Sequence, residues 1–239
     1  MAGLEFDLGQ KWAKGLRIKF LDSIESKEFR NSEEFSKSYM PHQVHGKKLL
    51  NWSSTMPTSA TQPQTEADGF IARGEAFSAS KKKLVVRSAD CAPLIYVDRE
   101  SECVASIHAG WRGLSLGIHK VPFDEGFNPK TTWVWCGPCL NGENFEVGED
   151  MWSQFPKDIQ KNQSIFADRS SSGKTPNPGK KFFYTWNFLE SEFKKMGVEL
   201  FYNVEIDTFS DESYNSYRRW KKMNGTPPLP HNYSWVGFV

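Results

Sequence analysis

The side chains with the greatest chemical reach lie in and around one stretch, Val85 to Gly113, reading VVRSADCAPLIYVDRESECVASIHAGWRG. Cys91 follows Ala89-Asp90 after the apolar run Leu84-Val85-Val86, and Pro93 reads as the stop of that strand. His108 ends a second run, Cys103 to Ile107, just before Ala109-Gly110-Trp111-Arg112-Gly113. A thiol and an imidazole 17 residues apart, each at the mouth of a strand, converge if the strands are neighbours. A further imidazole, His45, stands before Gly46, which would permit a backbone turn there. Imidazole and thiolate are preferred zinc donors, and three protein donors with the fourth position left to water is the catalytic arrangement. Zinc held that way lowers the pKa of water to about 7 and readies a nucleophile for an electrophilic carbon.

The spacings of 46 and 17 residues match no short zinc-finger pattern, so the same residues also read as a packed thiol and two hydrogen-bonded imidazoles. Around them stand Asp68 and Asp90 as candidate proton-transfer or orienting carboxylates. Arg112, and after it Arg87, are candidate anion clamps, because guanidinium pairs bidentately with phosphate. Asp90 also reads as a turn-forming side chain and Arg112 as half of a surface ion pair. Without metal, Cys91 as nucleophile and His108 as base would make a thiol hydrolase or deamidase. A zinc-stabilised binding module without catalysis is the third reading, and it would unfold on losing its ion. Cys136-Gly137-Pro138-Cys139 follows a strand, lacks a helix start to activate a thiol and has no second pair, so it reads as buried turn packing.

The elements that must position these groups are legible in outline. Leu16 to Phe20 alternates as a half-buried strand, Glu66 to Ala72 is a turn opening a strand, and Thr131 to Cys136 is a β-branched, aromatic strand closed by Gly137-Pro138. Trp111 to Val121 reads as a short helix ended by Pro122, and Glu149 to Phe155 as the start of another. Phe182, Trp186, Leu189, Phe193 and Met196 give one apolar face to a helix from about Phe182 to Lys195, capped by Gly197. Alternation from Val198 to Ile206 follows as a strand. Ser53 to Thr65 and Arg169 to Lys181 are Ser-, Pro- and Gly-rich loops. Strands intermingle with helices and neither loop looks like a boundary, so one mixed α+β domain over 1–239 is expected.

Totals narrow the function classes. With 30 Lys+Arg against 29 Asp+Glu the net charge is +1, which argues against a nucleic-acid footprint. No run reaches the ~20 apolar residues of a membrane span, and the stretch MAGLEFDLGQKWAKG lacks a leader's apolar core, so a cytoplasmic protein is expected. Four cysteines in 239 residues do not make a disulfide framework, while nine Trp and 18 Phe supply a large core.

The phrases QVHG (Gln43 to Gly46), TEADGFIA (Thr65 to Ala72), SADCAPLIY (Ser88 to Tyr96), HAGWRG (His108 to Gly113), CGPCL (Cys136 to Leu140) and FEVGED (Phe145 to Asp150) share an order and spacing. In both, the chain resembles, from about 40 to 220, the laccase-domain or multicopper polyphenol oxidase family, also described as purine nucleoside phosphorylase with adenosine deaminase activity. The resemblance implies zinc held by His45, Cys91 and His108 in a mixed-sheet, four-layer α/β/β/α sandwich like that of cysteine-hydrolase toxins. It implies phosphorolysis of adenosine, inosine and 5′-methylthioadenosine, and deamination of adenosine, with nucleoside and phosphate as the partners. Cys91, His108, Asp90, Arg112 and Asp68 would form the catalytic group. The chain departs from the family pattern at Tyr184-Thr185, at Asp207-Thr208 and at Asn224-Gly225-Thr226. Five histidines are too few for a blue-copper centre plus a trinuclear cluster, although copper could stand in for zinc in a shared site.

Overall fold

The structure is a computed structural model that describes residues 4–7 as backbone and residues 15–56 and 60–238 in full. The leader reading of residues 1–15 and the centre of the Ser53–Thr65 loop therefore fall largely or partly outside the described residues. Along the chain come β1 (Leu4–Asp7), β2 (Leu16–Phe20), α1 (Ser23–Arg30), α2 (Glu33–Ser36), β3 (Leu50–Asn51) and β4 (Gly69–Arg73). Then follow α3 (Gly74–Ser80), β5 (Lys83–Ser88), β6 (Ala92–Asp98), β7 (Cys103–Ala109), α4 (Trp111–Ser115) and α5 (Val121–Asp124). The next group is β8 (Thr132–Cys136), β9 (Gly142–Val147), α6 (Glu149–Trp152), α7 (Lys157–Lys161), β10 (Phe166–Ala167) and β11 (Lys181–Phe183). The last are α8 (Thr185–Met196), β12 (Leu200–Asn203), α9 (Tyr217–Lys222) and β13 (Asn232–Phe238).

Two sheets pack face to face. One has the order β1-β2-β13-β5, the other β12-β8-β6-β7-β4-β3, and β9, β10 and β11 form a small third sheet. The larger sheet is mixed: β12 runs parallel to β8 and β3 to β4, whereas β4, β6, β7 and β8 are antiparallel neighbours. Period-two alternation sends successive side chains to opposite faces. Ile18, Leu84 and Val236 from one sheet meet Phe70, Ile95 and Val97 from the other in the central layer. Val85, Tyr233 and Trp235 point the other way, onto Phe29 and Phe35 of α1 and α2. On the far face of the larger sheet, Leu94, Tyr96 and Ile107 pack against Phe188, Leu189 and Phe193 of α8. The order α/β/β/α expected from the resemblance is thus realised. Among the described residues no helix is long and apolar enough to cross a membrane.

Several local expectations change. Phe182 is not helical: with Phe183 it lies in β11, pairing with Glu146 of β9, and α8 starts at Thr185. Gly197 does cap α8, at φ 72°. Pro122 lies in the first turn of α5 rather than after the end of a helix, as its fixed φ and missing N–H favour a first turn. Pro93 does not stop the strand of Leu84, which ends at Ser88; it sits second in β6, a strand of the other sheet. The strand near 200 is confined to Leu200–Asn203.

α8 also carries Glu192 into the interior. Its Oε2 lies 2.6 Å from Lys120 Nζ and 3.5 Å from His119 Nε2, and its Oε1 is 2.9 Å from Lys195 Nζ. The His119 imidazole holds this carboxyl well below the usual range against the effect of burial, with help from Lys120 and Lys195. A depressed carboxyl pKa contributes stability present above the unfolded value of ~4.3 and lost as pH falls through the folded one. Glu192→Gln is therefore expected to cost about 1–2 kcal/mol at pH 7, less than a fully buried pair because Lys120 is half exposed. Urea unfolding of both proteins should show the difference at pH 7 and its progressive closing below pH ~4.

Candidate metal centre and its cavity

Antiparallel pairing assembles the centre. β7 runs between β4 and β6, both opposed to it, so the starts of β4 and β6 lie beside the end of β7. Cys91 immediately precedes β6, where Ala92 pairs with Ala109 and Pro93 with His108. Asp68 immediately precedes β4, and its carbonyl accepts from His108 N at 2.7 Å. The convergence expected of Cys91 and His108 arises from β6 meeting β7. His45 arrives from the loop before β3, and the donor atoms of His45, Cys91 and His108 all lie within 4.8 Å of one another.

The backbone turn at His45 is made by His45 itself, at φ 61°, rather than by Gly46. A left-handed conformation is costly for a residue with a Cβ, and Asp68 holds it in place. Asp68 Oδ1 accepts from His45 N at 2.8 Å and Oδ2 from Gly46 N at 2.6 Å. The same Oδ1 lies 2.9 Å from His108 Nδ1. A carboxylate there fixes Nδ1–H on His108 and leaves Nε2 as the free donor, the usual arrangement behind a metal-bound imidazole. Burial raises the Asp68 pKa, but His108 and the two backbone N–H groups outweigh it and keep the carboxylate ionised.

The thiol and the imidazole are an ion pair in the making. Burial opposes the Cys91 thiolate, yet His108 and then His45 bring its pKa down to about 6. Burial likewise opposes imidazolium at His108, and Cys91 with Asp68 pushes it up to about 9. A thiolate at neutral pH is the form that ligates a metal.

Gly110 explains the small residue between His108 and the helix. A Cβ there would sit 2.9 Å from His45 Cδ2 and 3.0 Å from Cys91 Sγ. Its φ of −71° suits any residue, so the exclusion is one of space alone. Gly113, on α4, would likewise drive a Cβ to 2.7 Å from Gly46 O. Gly110→Ala is expected to fold but to bind metal at least ~10-fold more weakly, because the donors must spread to admit the methyl. Titration with zinc against a chromophoric chelator measures this.

Three donors of this type, a free Nε2, a thiolate and a cradle that a methyl would fill all fit a divalent ion. Donor atoms around tetrahedral zinc stand ~3.5 Å apart, not far from the observed spread.

The centre opens on a cavity of about 780 Å³. Arg87 and Arg112, the candidate anion clamps, both line it; Gln43 brackets Arg87 with hydrogen bonds to its N–H and carbonyl, and Arg112 is exposed, stacked 4.5 Å over Trp111. Asp90 is the cavity's one carboxylate among the described residues, at φ 88°. Both its oxygens are engaged: Thr208 Oγ1 donates to one and Arg218 N to the other, each at 2.7 Å. Asp68 is fully buried and off the cavity wall, so it acts on the centre through His108 and His45. Sequence reasoning missed Tyr217, Arg218 and His231 as lining residues. Cys136 and Cys139 are buried, as expected, and Cys139 Sγ accepts from Trp186 Nε1 at 3.2 Å. The departures at Thr185 and Thr208 are polar clasps, Thr185 donating to Leu140 O at 2.9 Å.

A profile of the family described as multi-copper polyphenol oxidoreductase laccase matches residues 25–227. The chain is 31% identical over 136 residues to purine nucleoside phosphorylase PA4543 of Pseudomonas aeruginosa, covering 56% of this chain and 54% of that protein. It is 27% identical over 191 residues to purine nucleoside phosphorylase YfiH of Escherichia coli, covering 78% and 70%. With a purine nucleoside phosphorylase of Aquifex aeolicus it shares 27% over 197 residues, 81% and 82% of the two chains. The match thus spans about half the length of the Pseudomonas relative and more of the other two. Among solved structures, Neisseria meningitidis protein NMB0706 superposes with a TM-score of 0.75 at 19% identity, covering 100% and 99% of the chains. Bacillus licheniformis hypothetical protein YfiH gives 0.76 at 16%, covering 94% and 93%. At those identities the likeness speaks for the fold.

Proposed function

The chain belongs to the multi-copper polyphenol oxidoreductase laccase family, and from that premise we propose that it is a zinc-dependent purine nucleoside enzyme. It cleaves adenosine, inosine and 5′-methylthioadenosine by phosphorolysis and deaminates adenosine by hydrolysis. The observation that carries this reading is one cavity that joins the His45, Cys91 and His108 donors to a wall of cations. Its volume, about 780 Å³, lies within the range of ligand sites that enclose a small molecule. The relatives' shared name, purine nucleoside phosphorylase, supports the substrate class.

His45, Cys91 and His108 would hold zinc, which when bound supplies a Lewis acid and, from water, a nucleophile at neutral pH. Asp68 keeps the His108 ring turned with Nε2 outward. Arg87 and Arg112 place positive charge where an anionic co-substrate enters. Leu114, Leu140 and Phe145 give the apolar wall a base requires. Phosphorolysis is the better supported of the two activities, because among the described residues the cavity's cations outnumber its carboxylates and the carboxylate of Asp90 is already engaged. Copper oxidation of phenols has little support: His119 is buried in the aromatic core, which leaves too few imidazoles at the centre for a laccase cluster.

A second reading is favoured by the low pKa of Cys91 beside a raised His108, the signature of a metal-independent thiol hydrolase. Chromatography of adenosine, inosine and 5′-methylthioadenosine reactions, each with and without phosphate and with and without chelator, separates the readings. Free base plus a ribose phosphate, lost on chelation, is the expected result. No turnover of any of the three would end the nucleoside reading, and turnover indifferent to chelator would end the role of zinc.

A further inference from the structure

Two adjacent arginines on α9 have opposite surroundings. Arg219 gives its guanidinium to the backbone: Nη1 donates to Thr208 O at 2.6 Å and Phe209 O at 2.8 Å, and Nη2 donates to Tyr214 O. It staples the segment before α9. Arg218 donates only through Nη1, to Glu146 O at 3.1 Å, with its plane 5.3 Å over the Phe145 ring. Its Nε and Nη2 have no protein partner among the described residues, and the residue lines the cavity. Those two nitrogens form the side edge of the guanidinium, whose parallel N–H bonds match two oxygens of one phosphate.

The nearby carboxylates are taken. Glu146 accepts from Asn177 N and Nδ2 and pairs with Lys180, while Asp90 is bound by Thr208 and by the backbone N–H of Arg218. Burial works against the Arg218 charge, and the Asp90 and Glu146 carboxylates favour it only from a distance, with no salt bridge to the guanidinium among the described residues, whereas buried charges are normally paired directly. Arg112, Lys221 and Lys222 are exposed and lack any such fixed fork. We propose that Arg218 is the clamp that fixes the phosphate co-substrate, with Asp90 as the residue that positions it by tying the start of α9 to the strand entry beside Cys91. This deepens the phosphorolysis reading and rests on it.

The test is titration of the metal-replete protein with inorganic phosphate alone, followed by intrinsic tryptophan fluorescence, then phosphate and nucleoside KM values. Arg218→Ala should weaken phosphate binding about 10- to 100-fold, the loss expected of charge-assisted hydrogen bonds. Arg218→Lys, which keeps the charge without the fork, should fall between. Nucleoside KM should move less than about threefold in both, against the far larger phosphate effect. Asp90→Asn should raise phosphate KM more than nucleoside KM while metal content holds. Unchanged phosphate affinity in Arg218→Ala, a loss confined to the nucleoside, or no phosphate binding by the unaltered protein would each overturn the clamp. Unchanged phosphate KM in Asp90→Asn would overturn its positioning role. Phosphate bound through Arg218 without any ribose phosphate formed would instead sink the phosphorolysis reading and leave the clamp standing.

Discussion

Cys91→Ser is expected to purify without bound metal and to lose well over ~100-fold in kcat/KM, more than changes behind a ligand typically cause. The reason is protonation as much as softness. The surroundings of Cys91 bring a thiol to about pH 6, so it meets a dication as an anion, whereas a serine hydroxyl stays protonated there. Removing the thiolate also removes the largest influence holding His108 up at about 9. His45 and His108 alone leave two neutral donors, one on an exposed loop in a left-handed conformation. Metal content by mass spectrometry and activity should fall together. Should activity vanish while the unaltered protein works equally well after chelation, the thiol is a nucleophile and no ligand.

Asp68→Asn is expected to weaken metal binding about 10- to 100-fold and to destabilise the fold by about 1–3 kcal/mol. Asp68 is fully buried, and its two oxygens serve three N–H donors: His45 N, Gly46 N and His108 Nδ1. An asparagine has one acceptor oxygen and would turn an NH₂ toward at least one of those donors. Either Gly46 loses its partner, or His45 and His108 lose theirs. In the second case the left-handed turn at His45 is free to relax and the His108 ring to rotate. Zinc titration and urea unfolding of the metal-free protein separate the two effects. A variant with normal metal affinity would show that the carboxylate does not orient the ligands.

The centre was legible in the sequence to the extent that it is local. Cys91 and His108 each sit beside a strand end marked by glycine or proline, and the Gly110 of HAGWRG records a steric demand that the structure makes explicit. Asp68 was readable as a nearby carboxylate, but its hold on His45 and His108 spans 23 and 40 residues and depends on how β4 registers with β7. Arg218 was out of reach, because its place on the wall comes from a bond to Asp90 across 128 residues. The fold was recovered in its layers from alternation and from the resemblance. Phe182 was misplaced because its spacing to Trp186 fits a helix equally well, and only pairing with Glu146 of β9 decides for a strand. Pro122 and Pro93 show the same limit: proline marks a boundary without saying on which side the element lies.

All of this turns on His45, Cys91 and His108 meeting around one divalent ion at the cavity floor. Anomalous diffraction from crystals of the purified protein, recorded on both sides of the zinc edge, tests that directly. The expected result is a single strong peak about 2.0–2.3 Å from the Cys91 sulfur and one nitrogen of each imidazole. No peak there in crystals grown with zinc, or a peak held by other residues, would contradict it.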